Sequence, residues 1–155
     1  MEKNMCNVFA VAKKLCETRN WQVSNLTLQK MLYIAQVIYL GTNGSHLFKA
    51  EFEAWDYGPV VPEVYRRFKI FGDKYIQKWA FPNIERNCTE KEDRFISSIA
   101  YILSELKPYQ LVNLTHRQGT AWEKKYIPGA KNIIIPEDLM KAEYKDVWEG
   151  NQSTC

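Results

Sequence analysis

Histidine and closely paired cysteine are what this chain has least of. Its two histidines, His46 and His116, and four cysteines, Cys6, Cys16, Cys88 and Cys155, include no C-x-x-C pair. A zinc site needs about four Cys, His or carboxylate ligands, usually in close pairs, so no metal is expected. The seven glycines carry neither G-x-G-x-x-G nor G-x-x-x-x-G-K-S/T, which removes the phosphate cradles of nucleotide-dependent enzymes and leaves no cofactor to expect. A Cys–His nucleophilic pair could still form in space from Cys6, Cys16 or Cys88 with His116. Cys16, on the apolar face of a helix, reads instead as a small inert hydrophobe. The N-terminus lacks the run of about 7–15 apolar residues that a secretory signal needs. Gln29, Lys30 and Gln36 interrupt the most hydrophobic window before it reaches the roughly 20 residues of a membrane span. These absences together point to a reduced, cytoplasmic protein with no membrane partner.

What is present is the composition of one folded domain. The chain has 155 residues, of which 46% are hydrophobic and 25% charged, close to the average soluble domain. The boundaries read as one domain over residues 1–150 and a fraying tail over 151–155. Five Trp, nine Tyr and seven Phe supply apolar area for a core and leave some for an interface. Lys and Arg exceed Asp and Glu by 21 to 18, with pI about 8.6. A dedicated nucleic-acid domain usually exceeds pI 9 with clustered charge, so nucleic acid is not suggested as a partner.

Periodicity then sets the elements. Val8, Ala12, Leu15 and Cys16 place an amphipathic helix over residues 5–19. Residues 26–40 are apolar at nearly every position, and such a helix must be surrounded by others, which makes it the centre of the domain. Ser24, Asn25 and Thr27 offer its N-cap, and Gly41, followed by Thr42, Asn43 and Gly44, its stop. A period of two over residues 47–57, with Phe48, Ala50, Phe52 and Ala54 on one face, predicts a strand broken by Gly58 and Pro59. Pro62 opens a helix over residues 62–71 with Val64, Tyr65, Phe68 and Phe71 on one face, ending at Gly72. Residues 75–82 read as loop or short strand.

Thr89 and Glu92 form a capping box ahead of Phe95, Ile96, Ile99, Ile102, Leu103 and Leu106. Pro108 starts a short helix through Leu111 and Leu114, and Thr120 with Glu123 caps another before Trp122 and Tyr126. Ile133, Ile134 and Ile135 are extended, and Pro136 opens a last helix with Leu139, Tyr144, Val147 and Trp148. The fold class is mainly α: a single helical domain around a buried central helix, with a small antiparallel β element.

Two groups of residues invite a functional reading. Arg66, Arg67 and Lys69, with Lys74 and Lys78 beyond, are interleaved with Phe68, Phe71, Tyr75 and Trp79, a pattern that suits a nucleic-acid or acidic-partner face. Helical spacing favours the plainer arrangement, with the aromatics inward and the cations as a solvated face. Lys30, in an otherwise apolar helix, needs a carboxylate or carbonyl partner, and His116 can bond the backbone or a partner protein.

Four pieces in order carry a family resemblance. They are Leu28-Gln29-Lys30-Met31-Leu32-Tyr33, then Phe52-Glu53-Ala54-Trp55-Asp56-Tyr57-Gly58-Pro59-Val60-Val61-Pro62, then Val64-Tyr65-Arg66-Arg67-Phe68, and Leu114-Thr115-His116 with Trp122. Together they resemble the Panacea antitoxin domain, the SocA-like family long catalogued as a domain of unknown function and as phage-associated proteins of the GepA type. The resemblance runs from about Cys6 to Trp148, and Ala121 stands where many relatives are expected to carry proline. It implies a helical, non-enzymatic antitoxin of a bacterial toxin–antitoxin pair, with one branch delivering its toxin to a protease. The motif residues Tyr33, Trp55, Gly58, Pro59, Val60, Pro62, Tyr65, Phe68, Thr115 and Trp122 read as structural, and Lys30, His116, Arg66, Arg67 and Lys69 as candidates for contact with the partner. A mobile-element protein that inhibits a host factor by similar binding is the alternative, and an enzyme a distant third.

Overall fold

Two helices open the fold in the computed structural model, which describes residues 6–84 and 87–149. In α1 (Val8–Thr18) the Asn7 side chain accepts from the Phe9 amide, and Val8, Val11, Ala12, Leu15 and Cys16 form the buried face. In α2 (Asn25–Asn43) every residue from Thr27 to Val37 is buried, and the Ser24 hydroxyl oxygen accepts from the Thr27 amide. The helix does not stop at Gly41 as expected; it runs on to Asn43 and ends at Gly44, in the left-handed region at φ 75°. Gly41 is needed for a different reason: a Cβ there would lie 2.1 Å from the Tyr144 ring. The C-terminal segment packs directly on the α2 backbone at that point.

The expected strand over residues 47–57 is extended but mostly unladdered. Phe48, Phe52 and Ala54 do turn inward, yet regular pairing is confined to β1 (Glu53–Trp55) and β2 (Gly58–Val60), antiparallel with Ala54 opposite Pro59. Gly58 and Pro59, expected as breakers, therefore form the second strand; proline is tolerated in a two-stranded edge because it withdraws only one donor. The Ile133–Ile135 run lies alongside. The Ala54 amide donates to the Ile133 carbonyl at 2.9 Å and the Ile135 amide to the Phe52 carbonyl at 2.8 Å.

The remaining elements wrap α2. α3 (Pro62–Phe68) tightens into a 3-10 turn over Lys69–Phe71 and ends at Gly72, φ 59°. Residues 75–82 contain a bridge from Tyr75 to Ser24 and a 3-10 turn over Lys78–Ala80. α4 (Glu90–Ser104) begins with the Thr89–Glu92 capping box, both of its hydrogen bonds formed. Ile96, Ile99 and Leu103 point inward, whereas Ile102, placed on that face by spacing, is 59% exposed. α5 (Pro108–His116), α6 (Ala121–Lys125), capped by Thr120, and α7 (Glu137–Glu143) follow, the last widening into a π turn over Tyr144–Glu149. The architecture is mainly α with a small antiparallel sheet.

One expectation about cysteine is corrected. Cys6 and Cys88, 82 residues apart, are joined in a disulfide. Each immediately precedes the cap of a helix, and the packing of α1 on α4 brings the two caps together, where the Asn7 amide donates to Asn87 Oδ1 at 2.8 Å. Cysteine usage therefore no longer argues for a reducing compartment. Cys16 is buried and free, its thiol pushed up to about 12 by burial and then by Glu17, as suits an inert hydrophobe. Among the described residues no helix is long and apolar enough to cross a membrane. The tail expected to fray, residues 151–155, lies outside the described residues.

Candidate functional site

The polar residues that interrupt α2 each hold the backbone of a neighbouring segment. Asn25 Nδ2 donates to the Tyr65 carbonyl at 2.9 Å, and Gln29 Oε1 accepts from the Val61 amide at 2.9 Å while its Nε2 donates to Asn25 Oδ1 at 3.0 Å. Lys30 Nζ donates to the Pro59 carbonyl at 3.4 Å. Gln36 Oε1 accepts from the Leu47 amide at 3.0 Å and its Nε2 donates to the Phe48 carbonyl at 2.8 Å. A buried polar group left unpaired costs about 1–3 kcal/mol, so these side chains act as sockets into which the β2–α3 segment and residues 47–48 must fit. Gln29 and Gln36, which in the sequence read only as breaks in an apolar run, are positioning residues for that reason.

Lys30 and His116 meet beneath the β1–β2 turn. A Cβ on Gly58, at φ 113°, would lie 2.8 Å from both Lys30 Nζ and His116 Nε2, so this contact requires glycine. Burial pulls the Lys30 amine down to about 7. His116 is also held below its ordinary value, first by burial, with the Lys30 charge adding to the effect and a backbone bond to Tyr57 opposing it. The His116 ring stacks on Trp122 at 4.1 Å, and Trp122 on Tyr126 at 4.5 Å. Trp122 Nε1 donates to the Trp55 carbonyl at 2.7 Å, and Asp56 Oδ1 accepts from the Tyr126 hydroxyl at 2.8 Å and the Gly129 amide at 2.9 Å. The turn is thus clamped on both sides while Tyr57 at its tip stays 69% exposed.

A test of this clamp follows from the sign of the Lys30 shift. The unfolded chain holds its amine proton up to the ordinary value of 10.5, the folded chain only to about 7. Between those values the unfolded state binds more protons, so stability rises with pH across that window. Unfolding free energies of wild type minus Lys30→Met, from urea titrations at pH 6 to 11, should climb through it; a flat difference would mean Lys30 is not buried as described.

The proposed partner contacts fall into two groups. Buried Lys30 and half-buried His116 share one cluster, whereas Arg66 and Arg67 on α3 and Lys69 in the turn that follows it are exposed. Arg67 is not free there, because its Nε donates to the Ala80 carbonyl at 2.8 Å. The inward reading of the aromatics holds for Phe68, is half true of Phe71, and is corrected for Tyr75 and Trp79, which are 54% and 72% exposed. The helix ends before them, so helical spacing does not extend to their side chains. Among the motif residues Tyr33, Val60, Phe68 and Thr115 are buried. Trp55 is half-exposed, edge-on to Tyr65 at 5.0 Å, with the Lys131 ammonium 4.8 Å from its ring.

Glu143 was not singled out by sequence reasoning, yet it ties three elements together. Fully buried, it accepts from the Tyr33 hydroxyl at 2.6 Å, the Ala121 amide at 2.8 Å and Trp148 Nε1 at 2.9 Å. Burial raises its carboxyl above the usual range, against the pull of these donors and of Arg117, whose guanidinium lies 4.7 Å from the Trp148 ring. The one sequence signal was Ala121: proline would fit the first turn of α6, but only a residue with an N–H can donate to Glu143. Elsewhere, a pocket of about 630 Å³ lies between the extended residues 49–52 and the start of α7, with His46 and Glu137 hydrogen-bonded at its rim. Among the described residues no group of three or more His, Cys, Asp or Glu is placed to hold a metal.

The clamped turn coincides with the segment that relates this chain to known proteins. Residues 28–123 match the antitoxin SocA-like, Panacea domain, a span that takes in Lys30, the β1–β2 hairpin, His116 and Trp122. The chain belongs to this antitoxin family. Antitoxin SocA from Caulobacter vibrioides (strain NA1000 / CB15N) is 34% identical over 110 residues, which cover 65% of this chain and 58% of that relative. The aligned region therefore spans a little over half the relative's length. No solved structure matches the chain.

Proposed function

We propose that this protein neutralises a cognate bacterial toxin by direct, stoichiometric contact, with no catalytic turnover of its own. The observation that carries this reading is family membership across residues 28–123, the stretch that contains the socketed hairpin and the basic face of α3. Chemistry on the surface is consistent with binding: Arg66 and Lys69 are exposed and free to form charge-assisted hydrogen bonds across an interface. Lys30 and His116 act through the hairpin they hold rather than by touching the partner. Delivery of the bound toxin to a protease would add a second contact elsewhere on the surface. Co-expression with the toxin gene adjacent to it should restore growth and yield a co-purifying pair. Growth rescue without co-purification would refute direct contact. The absence of any toxic neighbour among phage genes would favour inhibition of a host factor instead.

The arginine face makes a sharper test. Because Arg67 holds the Ala80 carbonyl, the informative reversal is Arg66→Glu with Lys69→Glu. Exposed charges contribute little to folding, so the melting temperature should hardly move. Affinity for the toxin should weaken by roughly 1–3 kcal/mol if these cations bond charged groups on it. Scanning fluorimetry and calorimetric titration read the two effects separately, and unchanged affinity would place the interface elsewhere.

A further inference from the structure

Two large, exposed apolar side chains lie on the two 3-10 turns that follow α3: Ile70 in Lys69–Phe71 and Trp79 in Lys78–Ala80. Ile70 is 77% exposed and Trp79 72%, and the Trp79 ring packs edge-on against Phe71 with centroids 5.5 Å apart. The base of this ridge is held firmly: Arg67 Nε donates to the Ala80 carbonyl at 2.8 Å, and the Ile76 amide to the Val23 carbonyl at 2.8 Å. A large apolar side chain already fixed in place loses little entropy on binding, and tryptophan is the residue most enriched at the energetic centres of interfaces.

Charge is concentrated at the same place. Residues 66–78 carry five cations and one acid, a local excess greater than the +3 of the whole chain. The rest of the chain sums close to neutral, so the net positive charge that would steer an acidic partner is concentrated in this segment. Single-stranded nucleic acid would also meet cations and aromatics. Ile70, however, offers no ring for a base to stack on, and an aliphatic anchor beside a tryptophan suits a protein surface.

We propose that Ile70 and Trp79, the latter packed on Phe71, together with the exposed Lys69, Lys74 and Lys78 of the same segment, form the surface on which the toxin docks through an acidic segment bearing apolar side chains. The proposal rests on the antitoxin reading above and deepens it by assigning the apolar anchors and the charge of the partner. The acidic segment supplies the encounter, and Ile70 and Trp79 supply the lifetime of the complex.

The test uses the full chain and its purified toxin, with Trp79→Ala, Ile70→Asp, Lys74→Glu with Lys78→Glu, and Ile102→Asp as a control on α4. Trp79→Ala and Ile70→Asp should each weaken binding about tenfold or more with unchanged melting. The lysine pair should slow association and flatten its salt dependence, and Ile102→Asp should bind as wild type. Should Trp79→Ala fail to fold, Ile70→Asp decides, since it leaves the Phe71–Trp79 pair intact. Wild-type affinity in folded Ile70→Asp and Trp79→Ala would overturn the docking surface while leaving the antitoxin reading standing. So would an equal loss in Ile102→Asp, or an affinity for a single-stranded oligonucleotide that both variants abolish while still binding toxin. A wild-type chain that neither binds nor neutralises the toxin would overturn the antitoxin reading itself.

Discussion

Replacing Glu143 with alanine should destabilise the fold by about 3–5 kcal/mol, the scale of several buried hydrogen-bond donors left without their acceptor. The carboxylate accepts from the Tyr33 hydroxyl, the Ala121 amide and Trp148 Nε1, and alanine would strand all three donors. Each unpaired buried donor costs about 1–3 kcal/mol, and water entering the vacated space would recover part of the total. Because these donors belong to α2, α6 and the C-terminal π turn, the loss would be cooperative and visible in the midpoint of a guanidinium titration. Glu143→Gln keeps an acceptor oxygen and should lose markedly less. Equal losses in the two variants would mean that charge or side-chain volume, not the acceptor, is what Glu143 contributes.

Leu32→Ala should cost roughly 2–5 kcal/mol, the usual range for truncating a buried leucine that leaves a cavity. Leu32 is fully buried in the middle of α2, where the surrounding helices leave it no route to solvent. The upper half of the range is expected because the sockets on the same helix resist collapse around the cavity: Gln29, Lys30 and Gln36 hold backbone at fixed distances. Chemical denaturation measures it directly, and a loss below about 0.5 kcal/mol, typical of surface sites, would contradict the central position of α2.

What the sequence disclosed follows the range of the interactions concerned. The α4 capping box is legible because its two hydrogen bonds span three residues, and α2 because burial on every side leaves an apolar residue at nearly every position. Gly41 misled because two glycines three residues apart both fit a helix stop, and the reason for the first, the Tyr144 ring, lies a hundred residues away. Gly58 and Pro59 misled in the same way. Their composition signals a break, whereas the fold uses the missing Cβ to admit Lys30 and His116 and tolerates the missing N–H at a two-stranded edge. The Cys6–Cys88 disulfide, spanning 82 residues, left no local trace either.

The candidate site divides along the same line. Lys30 and His116 stand out in the sequence because an apolar helix with one lysine and a chain with two histidines make them conspicuous. That they meet across Gly58 follows only from the fold. Glu143 sits in an ordinary charged stretch, so nothing nearby distinguishes it from a solvated carboxylate. The outward turn of Tyr75 and Trp79 carries no local signal, because the helical spacing that orders Val64 and Phe68 stops at Gly72, where the left-handed backbone ends the helix.

The central claim is that neutralisation is contact between two proteins, so the decisive measurement is the mass of the complex. The purified chain and its cognate toxin, mixed at equal concentration, should elute together in size-exclusion chromatography with a light-scattering mass equal to a whole-number combination of the two. Toxin activity should fall in proportion to the complex formed, reaching completion at that same ratio. Inactivation of many toxin molecules by each molecule of this chain, with no complex detected, would contradict the account and establish turnover in place of binding.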